Sequence, residues 1–421
     1  MKSTILFCAL SFLPFISMAQ GEAYNAFGIA QESAKENPED YLAPIRALKA
    51  ISYDSTDRMA QDVMAQAYMT YYSFAGDYEK TLEASISRFG PRRNAKYLQV
   101  RYDSTFVKSH RFVDAKTFIL QKAGEHQVIM INEAHHIPYH RSFVTEILQG
   151  LYDKGFRYLA LETLSSARLN ERGYPDYNSG FYSREPLFSE MLRQAIKVGF
   201  TLIPYENEKE CDNKGSGRFY CNTFRDSMQA VNLQQRIFQN QNDAKVLVFA
   251  GYAHIEKGSN NGWRKMAEIF RELTGIEPYC IDQTDLRESF NIAYEGKIYQ
   301  SVMGIENPQQ PVVAVKENQA FANNSMVDAS IIHPRSRKVN DRPGFYTIDG
   351  KRKAYELTGF FPATGQLVQA FYAEEQGDRV PADQYIVKTQ NESLFLFPGK
   401  YDIIVRSVEG PIVHQEKIVQ K

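Results

Sequence analysis

The sequence predicts an α/β fold: a three-layer core with a mainly parallel sheet, preceded by a helical segment and followed by a small antiparallel β domain. Three observations predict it. Between about residues 115 and 285, five short apolar runs (VIMIN, RYLALE, TLIPY, KVLVFAG and EPYCID) alternate with amphipathic helical segments, the pattern of βαβ units. From about residue 25 to 90, apolar residues fall three and four apart with few Pro or Gly, the period of helices. After about residue 350, apolar and polar residues alternate between Gly and Pro punctuation, the period of antiparallel strands.

Taken in chain order, residues 1–19 come first, with Lys2, the apolar run ILFCALSFLPFI and the small-residue stretch Ser17-Met18-Ala19. This is the layout of a signal peptide, and it predicts export to a periplasm or the outside. No later stretch reaches ~20 uninterrupted apolar residues, so no integral membrane segment is expected after its removal. Residues 20–112 are expected to be helical. They include a helix, Gly76-Asp77 turn, helix unit that has no second copy at a fixed period, so a helical hairpin is expected and not a repeat array.

Residues 113–350 are expected to form the α/β domain. Its helical segments are RSFVTEILQGLYDKG, EPLFSEMLRQAIKVG, NTFRDSMQAVNLQQRIFQ and NGWRKMAEIFRELTG, three of which end at a Gly placed as a helix stop. Right-handed crossovers would carry the C-terminal ends of all the strands to one rim. The strand-like QPVVAVKE and DASIIHPR are assigned to the edge of this domain. Residues 351–421, with GQLVQAFYAEE, SLFLFPGKYDIIVRS and PIVHQEKIVQ, form the expected β domain.

Lys plus Arg total 49 against 50 Asp plus Glu, a balance that gives no basic surface for a nucleic acid. Beyond the leader the cysteines are Cys211, Cys221 and Cys280. A disulfide between Cys211 and Cys221 and a pair of free thiols are both open readings, and neither resembles a zinc site. Cys280 ends a strand with no His paired to it and reads as a buried thiol.

The strand ends carry the chemistry. Glu133, His135 and His136 follow the first, Glu162 and Thr163 the second, and Tyr205, Glu206 and Glu208 the third; Tyr252, His254 and Lys257 follow the fourth, and Asp282 the fifth. Side chains alternate along a strand, so Glu133 and His135 share a side and His136 points away. A single strand-end His is more often a structural residue than a functional one. Convergence decides, because two histidines and two carboxylates fall at matched positions on three strands that the topology brings together. His140 and Arg141 open the next helix, where Arg141 would offer a fork to a carboxylate or phosphate. There is no G-x-S-x-G elbow and no H-E-x-x-H motif, which leaves water activation by His or by a metal.

INEAHHIPYHRSFVTEILQGLYDKGFRYLALETL, FRDSMQAVNLQQRIF and KVLVFAGYAHIEKG together resemble three motifs of the superfamily of erythromycin esterases, ChaN-type haem-binding proteins and Tiki-type proteases. The resemblance covers roughly residues 125 to 285. It places the first-motif Glu and His on Glu133 and His135, the second-strand Glu on Glu162, the helix arginine on Arg225 and the late histidine on His254. Asn132 stands where many members have Gly, and the His135-His136 pair is doubled.

The resulting expectation is an exported hydrolase acting on a small molecule or peptide. Glu133, His135, Glu162 and His254 would be catalytic, and Arg141, Arg225, Tyr205, Glu206 and Tyr252 would bind substrate. His135 would take a proton from water while Glu133 or Glu162 fixes its tautomer, with His254 and Arg141 stabilising the oxyanion. Two other readings stay open at this stage. In one, Glu133, His135 and His254 ligate a divalent metal, zinc or manganese. In the other, the cleft holds haem without turnover, with Tyr139 and Tyr252 as axial or stacking groups.

Overall fold

The computed structural model describes residues 22–89 and 102–421, apart from residues 55, 167, 213–216, 240 and 260. The leader expected at residues 1–19 lies outside the described residues. No helix among the described residues is long and apolar enough to cross a membrane.

The chain opens with α1 (Ala26–Glu36), α2 (Ala43–Ala50), α3 (Arg58–Phe74) and α4 (Tyr78–Phe89). Asp57 starts α3 by accepting from the backbone N–H of Met59 and Ala60, the usual work of an N-cap carboxylate. The α3–α4 turn is at Gly76-Asp77, as its sequence predicts. Gly76 has φ +75°, and a Cβ there would lie 2.2 Å from the Gln384 carbonyl oxygen, so only glycine serves both the turn and the contact.

The chain then runs α5 (Ser104–Ser109), β1 (Arg111–Asp114), α6 (Ala115–Glu125), β2 (Val128–Glu133), α7 (Pro138–Asp153), β3 (Tyr158–Leu161), α8 (Leu169–Arg172), α9 (Pro186–Val198) and β4 (Thr201–Pro204). It continues through α10 (Tyr220–Leu233), β5 (Val246–Gly251), α11 (Met266–Thr274), β6 (Tyr279–Leu286), α12 (Lys297–Ile305), β7 (Val312–Lys316), β8 (Gln319–Ala320) and β9 (Ala329–Ile332). All five predicted apolar runs are strands. The sheet order is β1-β7-β9-β6-β2-β5-β3-β4, with β8 on β7. From β9 to β4 the pairing is parallel, and β7 joins β9 and β1 antiparallel at the edge.

Strand alternation divides the core into two. Ile129, Ile131, Leu159, Leu161, Leu247 and Phe249 pack with α6, α7 and α9 residues such as Phe118, Ile147 and Leu192 on one face. Val128, Met130, Ala160, Val246 and Val248 pack with Ala230, Leu233, Ala267 and Phe270 of α10 and α11 on the other. Both faces are covered, which is why these strands read as continuous apolar runs. A disulfide joins Cys211 to Cys221 at the start of α10, and Cys280 is a free, buried thiol whose pKa burial pushes well up.

The remaining strands are β10 (Lys338–Val339), β11 (Arg342–Pro343), β12 (Lys353–Tyr355), β13 (Leu367–Tyr372), β14 (Asp383–Ile386), β15 (Leu394–Leu396), β16 (Gly399–Arg406) and β17 (Ile412–Gln420). They form small antiparallel sheets, the largest ordered β14-β13-β16-β17. These sheets share cores with the rest of the chain. Leu367 joins the core of α1–α3, and Phe345 and Phe395 pack with Tyr78, Leu82, Ala134 and Ile137.

Candidate active site

Strand β5 lies between β2 and β3, with Glu133 opposite Gly251 and Leu161 opposite Phe249. The C-terminal ends of β2, β5 and β3 therefore sit side by side. A Cβ on Gly251 would be 2.5 Å from both His135 Cε1 and Nε2 and 3.0 Å from Glu162 Oε2. His135 and Glu162 thus meet over Gly251, where the missing side chain leaves room for them.

One half of the site is built on β2. The Glu133 Oε1 carboxylate oxygen is 2.8 Å from His135 Nδ1. Arg141 donates from Nε to Glu133 Oε2 at 2.7 Å and from Nη2 to Oε1 at 3.0 Å, and from Nη1 to Glu185 Oε2 at 2.9 Å. Burial works against the Glu133 carboxylate, but Arg141 and His135 outweigh it and hold its pKa below the usual glutamate value. An ionised Glu133 fixes the Nδ1–H tautomer of His135, leaving the Nε2 lone pair turned toward Gly251 and Glu162. Tyr182 stacks on the His135 ring at 4.1 Å between centroids and Tyr252 meets its edge at 5.3 Å, so the imidazole is clamped.

The other half is built on β3, β5 and α10. Arg225 Nη2 donates to Glu162 Oε1 at 2.5 Å, and the Gly251 backbone N–H donates to Glu162 Oε2. Arg225 also holds Glu206, from Nε to Oε1 at 3.0 Å and from Nη2 to Oε2. His254 follows β5 with Nδ1 against Asp226 Oδ1, and Nε2 2.9 Å from Arg225 Nη1 and 3.5 Å from Glu162 Oε1. Trp263 Nε1 donates to the other Asp226 oxygen at 2.6 Å. Burial lowers the proton affinity of His254, but Asp226 and Glu162 outweigh it and raise its pKa above the usual histidine value. The Arg225 guanidinium at Nε2 acts against that rise without cancelling it. Burial likewise opposes the Glu162 carboxylate, and His254 and Arg225 reverse the effect and keep it ionised.

All four predicted catalytic residues come together at this rim, and Arg225, Glu206 and Tyr252 lie beside them. Two predicted substrate-binding residues do not. Arg141 is fully buried with its guanidinium spent on Glu133, Glu185 and the His135 carbonyl, so it holds the base and meets neither substrate nor an oxyanion. Tyr205 is also fully buried, and its hydroxyl donates to the Phe249 carbonyl, which makes it a core residue. His136 is buried on the far side of the turn, 3.2 Å from the Tyr252 hydroxyl, and burial together with Arg287 keeps it neutral. Tyr182, Glu185, Asp226 and Trp263 were not anticipated. Asp226 follows Arg225 directly in the helix motif, the one local signal available for it; Glu185 and Trp263 stand at the starts of predicted helical segments, where nothing local marks their partners, and Tyr182 lies in a stretch without periodic pattern.

The expected metal site does not fit these donors. Both Glu133 oxygens accept from Arg141, Glu162 accepts from Arg225, and His254 is flanked by Asp226 and Arg225. A divalent ion would face two guanidinium groups. Among the described residues no cluster of three or more His, Cys, Asp or Glu is disposed to hold one. Haem does not fit either. Tyr139 is wedged between Phe345 and His333, at centroid distances of 5.0 and 4.7 Å, and the ≈ 360 Å³ cavity beside Tyr252 has Asp285, Arg287, Glu288 and Glu295 in its wall. A flat apolar macrocycle needs apolar walls.

No family model matches the chain, and no curated protein matches it by sequence. Among solved structures it is similar to the type III effector HopBA1, with 12% identity over 54% of this chain and 97% of that one at a TM-score of 0.36. It is also similar to RRSP, a MARTX toxin effector domain from Vibrio vulnificus, with 14% identity over 63% of this chain and 55% of that one at a TM-score of 0.31. The C-terminal region of Pasteurella multocida toxin, with 9% identity over 79% of this chain and 52% of that one, also gives a TM-score of 0.31. Likeness at this level carries no argument about activity.

Proposed function

We propose that the chain is an exported hydrolase of the erythromycin-esterase-like superfamily, cleaving an ester or amide by general-base activation of water. One observation carries this reading: His135 is oriented by Glu133 at 2.8 Å and turns Nε2 toward Glu162 over Gly251. Water held between them gives one proton to Nε2 as its oxygen adds to the substrate carbonyl carbon, and Glu162 accepts the other hydrogen as a hydrogen bond. Arg225, part-exposed where Arg141 is not, turns the Nη1 hydrogen left over from its contacts with Glu206, Glu162 and His254 to the developing oxyanion. Collapse of the tetrahedral intermediate breaks the bond to the leaving group, which takes the proton back from His135. The three-motif resemblance supports the same residue set.

The test is turnover of a panel of 4-nitrophenyl esters and lactones by purified protein. His135→Ala is expected to lower kcat/KM on the order of a hundredfold or more with an unchanged circular dichroism spectrum and Tm. Exhaustive dialysis against EDTA is expected to leave the wild-type rate unaltered. Unchanged turnover in the folded His135→Ala protein would overturn the assignment.

A further inference from the structure

The cavity of ≈ 360 Å³ adjoins the site through Tyr252, whose ring meets the edge of His135, and its wall includes Arg287. Arg287 donates from Nε to the Thr284 carbonyl at 3.2 Å and from Nη1 to the Glu288 carbonyl at 3.1 Å, and its Nη2 is 3.5 Å from His136 Nε2. No carboxylate forms an ion pair with it among the described residues. A guanidinium has five N–H groups, so two remain for an anion, the number a carboxylate takes in a fork.

Tyr252 completes the arrangement. The Arg287 guanidinium only donates, so His136 Nε2 accepts; the neutral ring then carries its proton on Nδ1 and donates it to the Tyr252 oxygen at 3.2 Å. That turns the tyrosine hydroxyl hydrogen outward as a donor. The backbone is strained to hold it, since Tyr252 has φ 42° and its carbonyl is fixed by Asn132 Nδ2 at 2.8 Å. A bulky residue in this conformation is strained, and such residues cluster at ligand clamps and active sites.

The same wall limits how much negative charge can enter. Glu295 is paired with Arg335, and Glu288 accepts from Tyr78, from the Ser336 hydroxyl and from its backbone N–H, with no cation paired to it among the described residues. Asp285 is an exposed carboxylate. With one guanidinium beside two carboxylates the wall is itself net negative, so an anion is held there only through a direct fork on Arg287, and a polyanion is repelled.

We propose that Arg287 and Tyr252 bind a carboxylate on the substrate, so that the compound hydrolysed is a monoanionic ester or amide and not a phosphate-rich one. This rests on the hydrolase reading, but binding of the carboxylate can be tested without turnover. Monomethyl succinate at 10 mM is expected to raise Tm by about 2 °C in the wild-type protein and equally in His135→Ala. Dimethyl succinate and pyrophosphate are expected to give no rise. Arg287→Gln should abolish the effect, and Tyr252→Phe, which loses one hydroxyl, should cut it at least by half while retaining the fold. For an active protein, Arg287→Gln should also lower kcat/KM for 4-nitrophenyl hemisuccinate about tenfold relative to 4-nitrophenyl butyrate. No rise in the wild type, a rise that survives Arg287→Gln, or a larger one with pyrophosphate would overturn the proposal. Loss of turnover in His135→Ala with none of these Tm responses would leave the hydrolase reading standing alone.

Discussion

Gly251 is the residue on which the two halves of the site depend. Its φ of −79° is ordinary, so alanine fits the backbone, and what forbids a methyl group is the His135 ring 2.5 Å from the Cβ position. Gly251→Ala is therefore expected to move Tm by less than about 3 °C while lowering kcat at least about tenfold, because the imidazole must swing off its line to water. A parallel loss of stability and rate would show that the glycine serves the fold. Asp226→Asn addresses the other half. It keeps the shape of the side chain but removes the charge that raises His254, so the His254 titration, followed by NMR of ring-labelled protein, should move to lower pH. An unmoved titration would assign the raised value to Glu162 alone.

At the scale of elements, α7 and α9 are tied to β2 by one buried guanidinium. Glu185 caps α9 by accepting from the Leu187 and Phe188 N–H groups and also pairs with Arg141, which opens α7 just after Pro138. Arg141→Met would leave two carboxylates in the interior without their cation. The expected cost is about 3–5 kcal/mol in urea unfolding, with loss of turnover because Glu133 no longer stays ionised beside His135. A change below about 1 kcal/mol would mean that water reaches the pair. This network also marks what the sequence does and does not disclose. The five central strands were legible because burial on both faces writes an unbroken apolar run, and Glu133, His135, Glu162 and His254 stood out as polar breaks at their ends. Arg141 was misread because Glu185, its partner, is 44 residues away along the chain, so nothing local distinguishes a buried arginine from a solvent-facing one. Tyr205 failed for a related reason: its hydroxyl finds its acceptor on the neighbouring strand β5, and only the sheet order shows that.

For the molecule as a whole, buried histidines and buried carboxyls act on acid stability in opposite senses. Burial keeps His136, His140 and His333 neutral, with His333 pushed down to about 3. Below a pH of about 6.5 the unfolded chain binds protons that these folded sites refuse, so each removes about 1.4 kcal/mol of stability per pH unit. His254 acts in the opposite sense: its folded pKa is raised, so its contribution is present below the unfolded value and is lost as pH rises through the folded one. Glu146, whose carboxyl burial pushes up to about 7, and Glu185 and Glu375, also raised by burial, take up protons in the folded state first and likewise oppose the loss. Glu133 and Glu162, whose folded pKa values are lowered, keep their contribution until pH falls below about 4.5 and then lose it. The histidine part is isolated by denaturant unfolding of the wild type and of His333→Gln at pH 7, 6 and 5: stability should fall less in the variant, by up to about 1.4 kcal/mol per pH unit, and an equal pH dependence would sink this account.

The insertion of β5 between β2 and β3 also sets an order of events for a folding chain. Glu133 and Glu162 belong to strands that never pair with each other, and both wait for residues 246–251, made more than eighty positions after β3 ends. Until β5 slides into the gap, the facing edges of β2 and β3 have no partner. Activity should thus appear late in refolding, after helical signal has recovered, because the contact that completes the site closes one of the longer loops in the domain.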